Sequence, residues 1–363
     1  MSAEVSIPPA LIAEWQDRVR AAQAAGTALR IRGGGTKDFY GEKFEGEVFD
    51  VSGNAGIVDY DPTELVITAR GGTRLADIES AMHDAGQMLA FEPPWFGDAA
   101  TLGGCIATGL SGPRRPYAGA VRDFVLGVRV LDGKGDDLRF GGRVMKNVAG
   151  FDVSRLMTGA LGTLGVLLEV SLKCLPRPKA EATLVFDMHA AEAIERINAW
   201  GGQPLPLSAS AWHEDRLYVR LSGADAAVRA AVAKLGGEAM AAARADAWWL
   251  SLREQQMAFY TTASQLWRLS VKSTAPFTDL GTFQMIEWGG ALRWLNATSA
   301  LDAAAVRKWA ADNGGHATLF RAVERHAGVF QPLQPALMAI HQRLKSTFDP
   351  AGILNRGRMY PGL

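Results

Sequence analysis

Cysteine is nearly missing from this chain. Only Cys105 and Cys174 occur in 363 residues, with no C-x-x-C pair, which argues against a disulfide framework and against a zinc or iron–sulfur centre held by the chain alone. That scarcity makes a reducing, cytoplasmic setting the expectation. Net charge is missing too: 38 Lys plus Arg balance 38 Asp plus Glu, so no global field draws nucleic acid or anionic lipid. No apolar run reaches membrane-spanning length; the most apolar stretch, residues 161–175, is broken by Glu169 and Lys173. The N-terminus places Glu4 and Pro8-Pro9 where a signal peptide needs basic and then apolar residues. His316 stands without a second histidine beside it and the other five histidines are scattered without ligand spacing, so no metal site is expected.

Glycine, by contrast, is plentiful. Two glycine-dense segments have different flanks: Arg30-Ile31-Arg32-Gly33-Gly34-Gly35-Thr36-Lys37, and Thr101-Leu102-Gly103-Gly104-Cys105-Ile106-Ala107-Thr108-Gly109. Adjacent glycines let backbone N–H groups turn inward and approach a ligand where a Cβ would collide, a nest suited to phosphate. The first is not a dinucleotide fingerprint, because it leads into polar Lys37-Asp38 with no helical pattern. Nor is there a P-loop, since Gly133-Lys134 is followed by Gly135. A third set, Gly159-x-x-Gly162-x-x-Gly165, precedes a strand rather than a helix.

Length implies two domains or three. Pro9 opens a helix carrying Leu11, Trp15, Val19 and Ala22, closed by Gly26. Strands are expected at 28–32, 47–51 and 65–70, then a helix with Leu75, Ile78 and Met82 at helical spacing. Residues 91–119 show little regular pattern, as ligand-wrapping or mobile segments do. A hairpin follows, 125–131 and 137–140 around Asp132-Gly133-Lys134-Gly135, with a short helix at 152–158 and a strand at 166–175. Pro176-Arg177-Pro178 marks the main boundary. Beyond it the pattern reads strand 182–188, helix 190–200, strands 207–212 and 216–222, and helix 225–235. Strands near 267–272, 283–288 and 316–321, a helix at 301–313 and a last helix at 334–348 complete it. Helices backing an antiparallel sheet, repeated, imply a ferredoxin-like substrate domain.

These motifs carry a resemblance. The Arg32–Thr36 segment, the 101–109 segment and Gly159 to Val166 resemble, in order, the three flavin-wrapping segments of FAD-linked oxidases of the vanillyl-alcohol oxidase/p-cresol methylhydroxylase (PCMH) superfamily. Phe348-Asp349-Pro350 through Asn355 and Gly357 is similar to the superfamily's C-terminal signature. Within it, Ile286-Glu287-Trp288-Gly289-Gly290 through Leu295 and the short length resemble the smaller flavin subunits of bacterial glycolate oxidases. The resemblance implies an α+β fold: a two-part PCMH-type FAD-binding domain over 1–178, a ferredoxin-like cap over 179–330, and a C-terminal helix and tail, 331–363, returning to the first domain. It implies FAD bound by Arg32, Gly33, Gly34, Gly35, Thr36, Lys37, Pro94, Thr101, Gly103, Gly104, Cys105, Ala107, Thr108, Gly159, Gly162, Thr163, Gly165 and Val166. Because Thr36 stands where covalently flavinylated relatives carry histidine, a dissociable cofactor is expected. As partners it implies a larger FAD-binding glycolate oxidase subunit and an iron–sulfur subunit, a small 2-hydroxy acid as substrate, no nucleic acid, and membrane contact only through partners.

Catalytic candidates are Arg293, Trp288 and Asn355. Arg293 suits a substrate carboxylate, or an ion pair with Glu287 or Asp246. Trp288 and Trp294 suit a flavin-pocket wall or the domain core. Asn355 matches the C-terminal signature, and a tail arriving at the first domain would bring it to the flavin edge; the alternative is a frayed terminus. Cys105 suits packing more than chemistry. Two functional classes stand: a catalytic or electron-transferring subunit, and an assembly subunit that keeps the flavin fold while a larger homologue oxidises glycolate.

Overall fold

The structure is a computed structural model and describes residues 7–142 and 152–363; the N-terminal residues 1–6 read above lie outside it. The chain packs into two units: 1–110, 120–176 and 332–363 form one, and 111–119 with 177–331 form the other.

In the first unit, helix α1 (Pro9–Ala25) buries Ile12, Trp15, Val19 and Ala22, spaced three and four apart so that they share one face. Pro9 sits at its first turn and Gly26 closes it in the left-handed region. Trp15 meets Phe49 edge to face at 5.4 Å, on the parallel pair β1 (Leu29–Arg32) and β2 (Glu47–Asp50). A five-stranded antiparallel sheet follows. It is built from β3 (Ile57–Asp61) and β4 (Val66–Arg70), then, after helix α2 (Leu75–Asp84) and short strand β5 (Gln87–Met88), from three later strands. Helix α3 (Leu102–Thr108) precedes these.

Segment 91–119 is therefore less irregular than its prolines and glycines suggest. It contains α3 and, in the second unit, α4 (Arg115–Ala118). Thr101 caps α3, its Oγ1 accepting from the Gly104 amide at 3.3 Å, and Gly109 ends it in the left-handed region. Two glycines inside a seven-residue helix hide it, because glycine is a poor helix former.

The hairpin β6 (Val125–Leu131) and β7 (Asp137–Gly141) adds the sheet's far edge. After helix α5 (Val153–Leu156), β8 (Val166–Lys173) fills the centre, giving the order β3-β4-β8-β6-β7. β8 alternates apolar and polar side chains, yet both faces are buried. Its polar face is satisfied internally: Glu169 accepts from Arg129 at 2.9 Å and Ser171 pairs with Thr68 at 2.8 Å. Strand β9 (Leu175–Pro176) pairs with β5.

The second unit opens with β10 (Ala180–Asp187), α6 (Ala190–Gly201), β11 (Leu207–His213), β12 (Arg216–Gly223), α7 (Asp225–Leu235) and β13 (Glu238–Met240). Their order β13-β10-β12-β11 is that of a ferredoxin-like split βαβ. The β11–β12 turn uses Glu214 and Asp215, both at positive φ, as a two-residue hairpin turn of matching twist requires. Helices α8 (Ala242–Arg253) and α9 (Ala258–Thr261) lead to β14 (Gln265–Ser270), β15 (Phe283–Glu287), β16 (Leu292–Ala297), α10 (Ala303–Asp312) and β17 (His316–Ala322). These repeat the order as β15-β16-β14-β17, with 271–282 replacing the first helix, and β11 pairs with β15 to join both halves into eight strands. Helix α11 (Pro335–Phe348) then leads the C-terminal tail back into the first unit.

Candidate functional site

The glycine segments converge. Residues 31–38, the cap and first turns of α3, the 157–167 loop and the C-terminal tail line one cleft. The amides of Gly33, Gly34, Gly35 and Thr36 donate no hydrogen bond within the described residues. Four successive N–H groups without internal acceptors are what an anion nest offers. Charge agrees. Arg32, Lys37 and Arg358 line the cleft against the single carboxylate of Asp38. Three cations and one anion leave two positive charges, matching the two ionised groups of a diphosphate.

The loop's shape has identifiable causes. A Cβ on Gly34 would land on the Ala99 carbonyl, so this glycine permits the first loop to pack on the approach to α3. Asp38 accepts from Arg32 Nε at 2.8 Å and Arg30 Nη2 at 3.1 Å, tying both guanidinium groups to the loop. Lys37 is buried, with Nζ donating to the Trp95 carbonyl at 3.1 Å. Gly103 donates its amide to the Gly71 carbonyl at 2.7 Å, so the α3 terminus is occupied largely by the chain itself.

The tail completes the wall. Asn355 is buried; its Oδ1 accepts from the Ile31 amide at 2.8 Å and its Nδ2 donates to the Leu161 carbonyl at 2.6 Å. Gly162, at φ +73°, has no room for a Cβ beside that Nδ2. Behind it Lys345 Nζ donates to Asp349 Oδ2 (2.7 Å), the Leu354 carbonyl (2.7 Å) and the Thr163 carbonyl (2.8 Å). Burial pushes the Lys345 pKa down despite its Asp349 partner.

Of the residues expected to hold the cofactor, Arg32, Gly33, Gly34, Gly35, Thr36, Lys37, Thr101, Gly103, Gly104, Ala107, Thr108, Gly162 and Gly165 line this cleft. Pro94, Cys105, Gly159, Thr163 and Val166 are not among its lining residues. Cys105 is buried within α3, its thiol pushed up to about 12 by burial, which leaves it a packing group. Gly159 donates its amide to the Ile106 carbonyl at 2.9 Å, Thr163 donates its hydroxyl to the Ala160 carbonyl at 2.7 Å, and Val166 is core.

The catalytic candidates fare differently. Asn355 reaches the cleft, but both ends of its amide are committed to backbone. Arg293 is a correction: it is 2% exposed in the second unit, with Nε donating to the Gly290 carbonyl and Nη2 to the Ala275 carbonyl, each at 2.7 Å. Neither Glu287 nor Asp246 pairs with it; burial lowers its pKa to about 10. Trp288 is likewise buried there, donating Nε1 to the Gly112 carbonyl at 3.0 Å, with the Arg115 and Arg268 guanidinium groups 4.4 and 5.0 Å from its ring centroid. Trp294 donates to Glu287 Oε1 at 2.7 Å. Sequence reasoning missed Asp38, Gly71 and Arg358 as lining residues; in sequence Arg358 is distinguished only by lying, with Arg356, close to the C-terminal signature.

A cleft of free amides with two surplus positive charges, on this two-part fold, defines a flavoprotein of the PCMH type, and a family profile described as FAD binding domain matches residues 3–141. Over 347 residues the chain is 49% identical to the glycolate oxidase subunit GlcE of Escherichia coli (strain K12), spanning 96% of this chain and 97% of that one. It therefore belongs to the glycolate oxidase subunit GlcE family. The glycolate oxidase subunit GlcD of Bacillus subtilis (strain 168) is 34% identical over 129 residues, 36% of this chain and 27% of that one. Among solved structures, an alkyldihydroxyacetonephosphate synthase superposes over 96% of this chain and 74% of its own with a TM-score of 0.62 at 15% identity, a likeness of fold alone.

Proposed function

We propose that the chain is the FAD-binding small subunit of a glycolate-oxidising complex and that the cleft lined by the glycine loop, α3 and the tail holds FAD without a covalent bond. The observation that carries the reading is the cleft's donor set: four open amides and a surplus of two positive charges. The 33–36 amides, Arg32 and Lys37 would hold the phosphate groups, and the apolar side chains of Met157 and Leu161 would exclude water. When bound, FAD supplies a two-electron acceptor for conversion of glycolate to glyoxylate, which releases two electrons and two protons. Electrons leave through a partner iron–sulfur protein, since this chain's two thiols are buried and separate. A larger flavin subunit completes the complex. The chain resides in the cytoplasm and meets the inner membrane only through partners.

A second reading is favoured by one observation: Arg293, Trp288 and Asn355 are each hydrogen-bonded within the chain, and the larger subunit then does the chemistry. The test is purification followed by acid precipitation and anaerobic glycolate. FAD should appear in the acid supernatant; flavin retained on the denatured polypeptide would count against dissociable binding, and well-folded protein without flavin against binding itself. Bleaching by glycolate of the lone subunit identifies a catalyst, whereas bleaching only with partners present identifies the assembly role.

A further inference from the structure

Arg358 differs from the other cations of the cleft. It is 8% exposed, and its Nη2 donates to the Lys37 carbonyl at 3.3 Å. Its guanidinium carbon lies 5.0 Å from the centroid of the Phe44 ring. The Nε–H is buried and has no acceptor among the described residues. Asp38, whose charge acts on Arg358, is already shared by Arg30 and Arg32. A buried charged donor left open is rare and unfavourable unless something absent satisfies it. Burial lowers the Arg358 pKa, which a bound anion would reverse.

Arg358 also sits on a segment with its own docking. Leu354 bridges to Leu29 beside β1, the Leu29 amide donates to the Ile353 carbonyl at 2.8 Å, and the Asn355 amide donates to the Leu29 carbonyl at 2.9 Å. Anything that grips Arg358 from inside the cleft therefore grips the tail.

We propose that Arg358 is an anchor for the FAD diphosphate, so that cofactor binding and docking of the C-terminal tail are one linked equilibrium. This rests on the reading that the cleft holds FAD. Linkage is then obligatory: a ligand that binds only the docked tail stabilises docking, and a tail change that weakens docking weakens the ligand. It also gives the tail a role that packing alone does not require, since Asn355 and the Lys345–Asp349 pair already hold it.

The test uses the full-length apoprotein titrated with FAD, followed by flavin fluorescence, and hydrogen exchange of the peptide covering residues 349–363. Arg358→Gln should weaken FAD between about tenfold and a hundredfold, the loss expected of one charge-assisted contact. Arg358→Lys should recover part of that loss. In the wild type FAD should slow tail exchange, and in Arg358→Gln it should do so far less. Unchanged FAD affinity in a folded Arg358→Gln protein overturns the proposal, as does wild-type tail exchange indifferent to FAD. Should the glutamine variant misfold, the lysine variant and wild-type exchange decide the matter. Wild-type apoprotein that takes up no FAD overturns the cofactor-site reading itself, and this proposal with it.

Discussion

Asp38 and the glycines around it show how single residues divide between holding the fold and meeting the ligand. Gly34 and Gly104 have alike neighbours in sequence but unlike ones in space. A Cβ on Gly34 meets the Ala99 backbone, which cannot yield, while one on Gly104 meets only Thr101 Oγ1 at 3.3 Å. Gly34→Ala should therefore lower both the thermal stability of the apoprotein and FAD content, whereas Gly104→Leu should keep the apoprotein's melting behaviour and lose FAD; equal apoprotein melts for the two would contradict this division. Arg293 makes the complementary case. Arg293→Ala leaves the Gly290 and Ala275 carbonyls without donors inside a packed unit, a loss of about 2–4 kcal/mol. Urea unfolding should show that loss while FAD per folded molecule stays unchanged; an unaltered midpoint with impaired glycolate turnover would restore its catalytic reading. From sequence Arg293 was legible only as a cation near tryptophans, because what answers it is backbone carbonyl, which leaves no trace in residue type.

At the scale of elements, the C-terminal helix is fastened by a buried charge. Lys345 on α11 binds Asp349 Oδ2, which also accepts from the Leu354 amide at 2.7 Å, so removing the lysine strands a carboxylate that is 1% exposed. Lys345→Ala is expected to destabilise by about 3–5 kcal/mol, visible as an early thermal transition and faster proteolysis within 349–363. A tail as resistant as wild type would show that Asn355 alone suffices. Elements with strong periodicity, α1, α2, α6 and α7, lie where their apolar spacing put them. Helix α3 did not show, because its capping threonine and its glycines spell turn as readily as helix. Helix α8 and strands β3, β13 and β16 also went unread: β16 is buried on every residue, so it lacks the alternation that marks a half-exposed strand.

For the whole molecule, membership of the GlcE family and the fold's FAD-binding unit point to work inside an assembly. Affinity capture of the chain from its native cell should recover a larger flavoprotein and an iron–sulfur protein; a lone chain that oxidises glycolate at full rate would argue against that dependence. The ordered glycine motifs carried the resemblance that implied a flavin fold of α+β type, and they were legible because backbone that must approach a phosphate tolerates few residue types at those positions. Sequence also located Asn355, but not what it does. Only tertiary structure assigned residues 111–119 to the second unit, placed Arg293 among carbonyls, and brought Arg358 into a cleft lined by residues some 320 positions earlier in the chain. Those outcomes depend on which backbone atoms meet across long sequence separations, and a hydrogen bond to a carbonyl can be made at any residue.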